Sequence, residues 1–163
     1  MPELQRLAAH HAAALLRFER ENREWFARSV PDRGDAYFAD FDARHAGLLA
    51  EQETGACHFH VLVDADGAVL GRFNLVDVAD GEAELGYRVA ERAAGRGVAT
   101  DGVRRVAVLA REAYGLRRLT ARTTLDNAGS LAVLRRTGFT PVGEVSLDGR
   151  PGLWFVRELT ADD

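Results

Sequence analysis

The first third of the chain carries apolar residues mostly at helical spacing. Glu3–Leu7 is predicted to form a short first strand, and the alanine-, leucine- and arginine-rich stretch Ala9–Arg28 predicts helical structure. The cluster Pro31–Gly34 is typical of a turn. Aromatic and leucine side chains then recur at about 3.6-residue spacing, which predicts a second helix over Asp35–Gln52.

The middle of the chain changes to a two-residue alternation. Cys57–Val63 alternates as a strand with one buried face would, and turn residues at Asp64–Gly67 separate it from a second strand over Val69–Val76. Another turn at Asp80–Gly81 precedes a third strand, Glu82–Val89, whose alternate residues are apolar. These three strands are predicted to form an antiparallel meander.

The last third mixes helices with strands. The predicted elements are a glycine-rich loop at Ala94–Gly97, a helix over Val98–Tyr114 ended by Gly115, a strand over Leu119–Thr124, a helix over Ala128–Thr137, and strands over Thr140–Leu147 and Leu153–Leu159. A meander followed by a strand–loop–helix–strand unit and a terminal hairpin predicts a mixed α/β domain with a mixed sheet. The chain has 163 residues and shows no repeat or linker, so we expect a single domain spanning 1–163.

Composition narrows the function classes. Apolar residues make up 47% of the chain and its formal charge is -4, so a core can form but no general positive field attracts nucleic acid. All 21 basic residues are arginine, which excludes Schiff-base chemistry on a lysine. With one cysteine, no export signal and no apolar run near the ~20 residues of a membrane span, we expect a cytoplasmic protein without a membrane partner.

The glycine-rich loop is the most informative segment. Gly95 and Gly97 lie between a predicted strand and a predicted helix, where backbone N–H groups point outward and the helix dipole favours an anion. A Walker loop needs a lysine that the chain lacks, and Thr100 occupies the position of the third glycine in a dinucleotide fingerprint. Two interpretations of this loop therefore remain: it binds a phosphate-bearing cofactor of another kind, or it is a turn without a ligand.

Three ordered motifs resemble the GNAT superfamily of acetyl-CoA-dependent N-acetyltransferases. Arg92-Ala93-Ala94-Gly95-Arg96-Gly97 matches the family's pyrophosphate motif, Gln/Arg-x-x-Gly-x-Gly/Ala, between a strand and a long helix. Glu84-Leu85-Gly86-Tyr87 before it, and Asn127-Ala128-Gly129-Ser130 followed by Gly138-Phe139, resemble the branch of ribosomal-protein N-terminal acetyltransferases. The resemblance implies a mostly antiparallel central sheet, splayed at a bulge and flanked by helices.

The resemblance also implies how acetyl-CoA would be held, with no metal. Backbone groups of the splayed strand would pair with the pantetheine arm, loop amides would hold the pyrophosphate, and an arginine that replaces a frequent lysine would meet a phosphate of the nucleotide. The residues so placed against the cofactor are Tyr87, Arg88, Val89, Arg92, Gly95, Arg96, Gly97, Val98, Ala99, Thr100, Asn127, Ser130 and Arg136, with Arg135 as the alternative to Arg136.

Acetyl transfer to an amine needs a proton acceptor and a proton donor, because an ordinary ammonium has a pKa near ~10 and the leaving group is a thiolate. Glu84, on the strand that enters the cofactor loop, is the candidate base; a water, or a solvated charge ladder with Glu82 and Arg88, is the alternative. Ser130 is the candidate acid by resemblance, although serine also caps helices. The oxyanion would be met by a backbone N–H near Val89.

Other chemistry is less well supported by the sequence. Cys57 could carry the acetyl group in a ping-pong reaction, but it has no evident basic activator, so a packing role is favoured. Histidines at positions 10, 11, 58 and 60 have no carboxylate motif to complete a metal site, so no metal is expected.

The acceptor is a primary amine whose identity the sequence leaves open. Trp25, Tyr37, Phe41 and Trp154 are candidate substrate-binding residues, with a core role as the alternative. Acidic residues at positions 32, 35, 40 and 42 would attract a cationic acceptor. Three functions are compared: an N-acetyltransferase for a protein N-terminal or aminoacyl-type amine, a detoxifying acetyltransferase for a small molecule or antibiotic, and a non-catalytic CoA-binding regulator. Members of the family are frequently homodimers, and the sequence leaves the oligomeric state of this chain open.

Overall fold

The structure, a computed structural model, describes residues 1–161 and contains one seven-stranded sheet. Its strands are β1 Glu3–Arg6, β2 His58–Val63, β3 Val69–Ala79, β4 Glu82–Val89, β5 Arg118–Thr124, β6 Thr140–Leu147 and β7 Arg150–Glu158. They lie in the order β1-β2-β3-β4-β5-β7-β6. The predicted strands are therefore all present, with ends within three residues of their expected positions.

The sheet opens at its centre. Every strand pair is antiparallel except β4 and β5, which run parallel. Their register covers only three pairs, from Glu82↔Arg118 to Glu84↔Thr120, although β4 continues to Val89. Beyond Glu84 the two strands diverge and leave a gap in the sheet. The predicted mixed, mostly antiparallel sheet with a splay is confirmed.

Six helices cover the two faces of the sheet. They are α1 Ala12–Glu21, α2 Arg23–Ala27, α3 Asp35–Ala39, α4 Phe41–Glu53, α5 Val98–Glu112 and α6 Ala128–Arg136. The first four pack over β1–β3 on one face, around Leu15, Phe18 and Phe59. The other two pack on the opposite face, where Val103 and Val106 of α5 are fully buried.

Two predicted helices are each divided in two. The expected helix Ala9–Arg28 begins with a 3-10 turn and is interrupted at Asn22, whose amide Nδ2 donates to the carbonyl of Phe18 (2.9 Å) and whose Oδ1 accepts from the N–H of Glu91 (3.0 Å). A side chain that bonds to backbone in this way competes with the helix. The expected helix Asp35–Gln52 is likewise divided at Asp40, where ψ changes to 23°.

Strand β2 also differs from its prediction, because all six of its residues are buried rather than every second one. It lies inside the sheet between β1 and β3, with helices on both faces. On the face covered by α5, His60 packs deeply, and its Nε2 lies 2.6 Å from the hydroxyl of Tyr114. A strand with two covered faces buries its polar side chains as well as its apolar ones.

Within residues 1–161, no helix combines the length and apolar character needed to cross a membrane.

Candidate active site

The gap between β4 and β5 is the floor of a cleft with two adjoining cavities. A larger, polar cavity of about 630 Å³ lies on the side of Glu84, Arg88 and Arg122. A second cavity of about 370 Å³ lies between the glycine-rich loop and α6. Six residues line both cavities, namely Ser29, Val30, Tyr87, Arg88, Asn127 and Ser130, so the two spaces meet around this group. Tyr87 and Ser130 are therefore accessible from both cavities.

The splay leaves backbone groups of β4 facing the cleft. The N–H of Ala90 donates to the carbonyl of Leu70 on the β3 side (2.8 Å), and bonding direction alternates along an antiparallel strand. The backbone groups of Tyr87 and Val89 therefore point to the side from which β5 has diverged. The indole Nε1 of Trp25 donates to the Val89 carbonyl (3.2 Å). These groups can pair with an extended ligand as a strand would.

The glycine-rich loop forms an anion cradle at the second cavity. Gly95 and Gly97 have φ of +72° and +76°, a conformation that residues with a Cβ rarely adopt. Gly97 is the N-cap of α5, so the first N–H groups of that helix, at positions 98–100, have no partner within the helix and stand at the cavity wall. Partial positive charge at this end favours a diphosphate.

Two arginines of the loop motif lie away from the cavity. Arg92 is exposed and pairs with Asp64 at 3.5 Å, and Arg96 is also exposed. The wall instead includes Arg136, at the end of α6, which is the predicted phosphate contact. The cavity size, the loop amides and the open β4 backbone together fit a pantetheine arm joined to a diphosphate.

Tyr87 and Ser130 form a hydroxyl pair where the cavities meet. Their oxygens are 3.0 Å apart, and either can donate. Burial raises the pKa of Tyr87 above its ordinary value, and the bond to Ser130 offsets only part of that rise, so the phenol keeps its proton. The N-cap of α6 is Asn127, whose Oδ1 accepts from the N–H of Ser130 (3.2 Å). The Ser130 hydroxyl is therefore not used as a helix cap.

Glu84 lines the polar cavity and is held by an arginine that sequence reasoning missed. Arg122 of β5 donates from Nε and Nη2 to the two carboxylate oxygens, at 2.7 and 3.1 Å. The same guanidinium lies over the ring of Trp154, 4.9 Å from its centroid. This geometry fixes the carboxylate at the cavity wall and leaves each oxygen a second lone pair.

A buried ion cluster also lies beside the polar cavity. Glu19, only 1% exposed, accepts from Arg33, Arg72 and Arg88 at 3.1, 2.8 and 3.1 Å. Burial alone would raise the pKa of Glu19, but the three arginines hold it below its usual range. Burial also lowers the pKa of Arg88 to about 10. The sequence placed the backbone of Arg88 against the cofactor; the residue lines the cofactor-side cavity, and its guanidinium contacts Glu19 and lies over Phe26.

The four aromatic candidates for acceptor binding separate into two groups. Trp25 lines the cofactor-side cavity, whereas Trp154 lines neither cavity and contacts Arg122, a residue of the polar cavity. Tyr37 and Phe41 lie instead in the hydrophobic core, 7% and 4% exposed, because α3 and α4 turn their aromatic faces onto the sheet. Spacing alone does not show which face of a helix meets the core.

Two of the four acidic residues expected to attract a cation form ion pairs at the surface. Asp32 and Asp35 both accept from Arg23, at 2.8 Å in each ion pair. One guanidinium thus compensates one of their two charges. The walls of the polar cavity carry arginine in excess of acid, which is the opposite of the expected field.

Cys57 and the histidines do not form a reactive centre in the described structure. Cys57 is 1% exposed, and burial, with Glu51 nearby, raises the pKa of its thiol to about 11, which disfavours the thiolate. Across residues 1–161 there is no group of three or more His, Cys, Asp or Glu side chains arranged to hold a metal ion.

A sheet opened between two parallel strands, with an amide cradle on one side and a hydroxyl pair at the junction, defines an acyltransferase that takes its acyl group from a diphosphate-bearing thioester. A family model described as an acetyltransferase (GNAT) domain matches residues 3–140. The chain therefore belongs to the GNAT family, which uses acetyl-CoA, and the N-acetyltransferase class predicted from the sequence is confirmed.

Similar proteins agree with this assignment. A probable N-acetyltransferase, YjcK of Bacillus subtilis (strain 168), is 27% identical over 154 residues, covering 90% of this chain and 84% of YjcK. The structure of ribosomal-protein-S5-alanine acetyltransferase from Vibrio fischeri has a TM-score of 0.91 at 19% identity, covering 98% and 94% of the two chains. Mycobacterium smegmatis RimJ, solved in complex with CoA-disulfide, has a TM-score of 0.85 at 25% identity, covering 95% and 80%.

Proposed function

We propose that the protein transfers an acetyl group from acetyl-CoA directly to a primary amine at the Tyr87–Ser130 junction. The observation that carries the proposal is that this hydroxyl pair lines both cavities. Acetyl-CoA enters on the loop side and supplies an activated thioester, and the amine enters through the polar cavity. Both substrates are then bound together, so a covalent enzyme intermediate is unnecessary.

The loop side positions the thioester. Amides at positions 97–100 take the diphosphate, Arg136 takes a further phosphate, and the open backbone of Tyr87 and Val89 pairs with the pantetheine arm. Because the Val89 carbonyl is already bonded to Trp25, the N–H of Val89 is the group free to donate to the thioester carbonyl oxygen as it gains charge.

The polar cavity accepts the amine proton. Glu84 takes it, directly or through one water, as the amine nitrogen forms its bond to the acetyl carbon. Arg122 holds the Glu84 carboxylate toward the cavity during this step. The new N–C bond replaces the C–S bond. The ammonium nitrogen loses two protons on becoming an amide, one before attack and one during it, and the departing sulfur takes up one, so one proton is released to water through Glu84 overall.

Ser130 supplies the proton that the departing thiolate needs. Its hydroxyl passes a proton to sulfur and is restored from the neutral phenol of Tyr87, 3.0 Å away. The products are an acetylated amine and a free thiol, and both protein hydroxyls recover their protons from water. This relay uses the raised pKa of Tyr87, which keeps the donor protonated at neutral pH.

The acceptor proposed is the α-amine of a peptide or of an aminoacyl-type compound. The fold is that of an enzyme named for acetylating an alanine of ribosomal protein S5, and the polar cavity is wide enough for a short chain end. A detoxifying acetyltransferase for small amines is the second candidate, because the same machinery and an open cavity serve it equally.

An acceptor screen with detection of released thiol tests the proposal. It covers peptides with different first residues, aminoacyl-adenylate analogues and amine antibiotics. Thiol release that depends on a peptide or aminoacyl amine supports the proposal, and release only with antibiotics supports the second candidate. Binding of acetyl-CoA without turnover on any amine would indicate a CoA-binding regulator and overturn both.

A further inference from the structure

Arginines outnumber carboxylates around the polar cavity, and the excess positive charge lies in the cluster of arginines on Glu19. Five arginines and two carboxylates line this cavity. Arg122 is matched one to one by Glu84, and Arg150 is paired with Asp126. The remaining three arginines, Arg33, Arg72 and Arg88, share the single carboxylate of Glu19, which leaves a formal excess of two positive charges within this cluster. Asp148, the second carboxylate of the lining, reduces the excess around the whole cavity to one.

This excess lies where water cannot fully screen it. The side chains of Arg72, Arg88 and Arg33 are 5%, 20% and 29% exposed. Concentrating like charges in a partly desolvated cluster is unfavourable unless a further anion binds there. Each guanidinium has five N–H donors on three nitrogens, and the bonds to Glu19 and Tyr37 involve one nitrogen of each arginine. All three arginines line the cavity.

The cluster lies next to the transfer point. Arg88 directly follows Tyr87 on β4, and both line the two cavities. Arg72 is the register partner of Arg88 on β3, so the two side chains project from the same face. These guanidiniums leave the sheet on the face opposite to the Tyr87 side chain, and Arg72, Arg88 and Tyr87 all line the polar cavity. A group attached to an amine at the Tyr87–Ser130 junction would therefore reach the guanidiniums through that cavity.

From this imbalance we infer that the preferred acceptor carries a carboxylate close to its amine, and that the arginines on Glu19 bind it. The inference rests on the proposed function and narrows its substrate class. The carboxylate belongs either to a free amino acid or to an acidic side chain near a peptide N-terminus. Polycationic amines are disfavoured by the same charges.

Matched acceptors test the inference and separate the two sources. The dipeptide amides Ala-Glu and Ala-Gln differ only in a side-chain carboxylate, and alanine and alaninamide differ only in the α-carboxylate; spermidine serves as the polycation. We expect kcat/KM to be about ten-fold higher for the carboxylate member of at least one pair, because a charge-assisted hydrogen bond is gained. The preference should fall as salt is added.

A variant pair separates binding from structure. Arg33→Gln removes the most exposed arginine of the cluster, and Arg17→Gln removes an exposed arginine of α1 that is outside the cleft lining. Arg33→Gln should raise KM for the carboxylate acceptor about five- to ten-fold more than KM for the neutral acceptor, and Arg33→Lys should partly restore this preference. Arg17→Gln should match the wild type in every assay.

Failure of the inference is distinguishable from failure of the proposed function. Equal use of neutral and carboxylate acceptors, or a preference for spermidine, would overturn the inference while acetyl transfer stands. Equal loss with all acceptors in Arg33→Gln would show a purely structural cluster and also overturn it. No transfer to any amine would remove the proposed function itself.

Discussion

At the scale of single residues, the hydroxyl pair at the cavity junction carries the proton donation. Ser130→Ala should lower kcat by about a hundred-fold, as loss of a general acid does, with little change in acetyl-CoA affinity. Tyr87→Phe should lower kcat less, because Ser130 can still exchange its proton with water. Steady-state kinetics and calorimetry measure the two effects, with Ser146→Ala on the exposed strand β6 as the control. Unchanged turnover in Ser130→Ala would exclude it as the essential acid.

Glu84 can be tested against a neighbour with nearly the same contacts. Glu84→Gln should slow transfer and change the pH–rate profile, because the proton acceptor is lost while the side-chain shape is kept. Glu82→Gln is the matched control, since Glu82 lies two residues earlier on β4 and pairs with Arg118 outside the cleft lining. If both variants transfer acetyl at the wild-type rate, a water or another group is the base.

Several of these residues could not be assigned from the sequence. The resemblance indicated Ser130, and Glu84 was chosen for its place on the strand that enters the cofactor loop, but the ionic partners were not visible. Arg122 lies 38 residues from Glu84, and Arg33, Arg72 and Arg88 lie 14, 53 and 69 residues from Glu19. The pairing of strands and the packing of α1 on the sheet bring these positions together, and no local pattern encodes either. The sequence shows that arginine is abundant, but it does not show which guanidiniums share a carboxylate.

At the scale of elements, α5 sets the distance between the cofactor loop and the sheet. A Cβ on Gly102 would lie 2.2 Å from the ring of Phe73, so Gly102→Ala should destabilise the protein by about 1–3 kcal/mol despite the better helix propensity of alanine. Gly47→Ala in α4 meets nothing within 4 Å and should stabilise by about 0.5–1 kcal/mol. Urea denaturation measures both, and a stabilised Gly102→Ala would contradict the close packing described here.

Elements were predictable where the hydrophobic period was long and unbroken. The buried face of α5 and the strand meander followed from spacing. The division of the first helices at Asn22 and Asp40, and the burial of both faces of β2, did not, because they depend on contacts with distant elements such as the Glu91 backbone. Tertiary contacts override local propensity at such points.

At the scale of the whole molecule, a buried histidine makes stability depend on pH. The Nδ1 of His60 donates to the carbonyl of Phe73 (3.1 Å), so its Nε2 accepts from the Tyr114 hydroxyl and the ring is neutral. Burial lowers the pKa of His60 to about 4 from the ordinary 6.5. Its contribution to stability is therefore complete above pH 6.5 and is lost as the pH falls toward 4.

We expect the free energy of unfolding to decrease by about 2–4 kcal/mol between pH 7 and pH 4 from this group, with the lowered pKa values of His11 and His58 adding in the same direction. His60→Gln should flatten part of this dependence, although it weakens the fold at pH 7. His10→Asn, at an exposed position, should leave the curve unchanged. A wild-type stability that is constant from pH 7 to pH 4 would contradict the buried neutral ring.

The most direct test of the account is the binding of acetyl-CoA to the amide cradle, measured by calorimetry. Aspartate tolerates the left-handed backbone, as Asp77, Asp80 and Asp148 already show in this chain. Gly97→Asp would therefore keep the loop and place a negative charge at the cradle, while Gly55→Asp, at φ +81° and outside the cleft lining, gives the same change elsewhere.

We expect one acetyl-CoA to bind per chain in the wild type and in Gly55→Asp, and binding at least about ten-fold weaker in Gly97→Asp, because the added carboxylate repels the diphosphate. Equal affinities in all three proteins, or no binding to the wild type, would contradict the account.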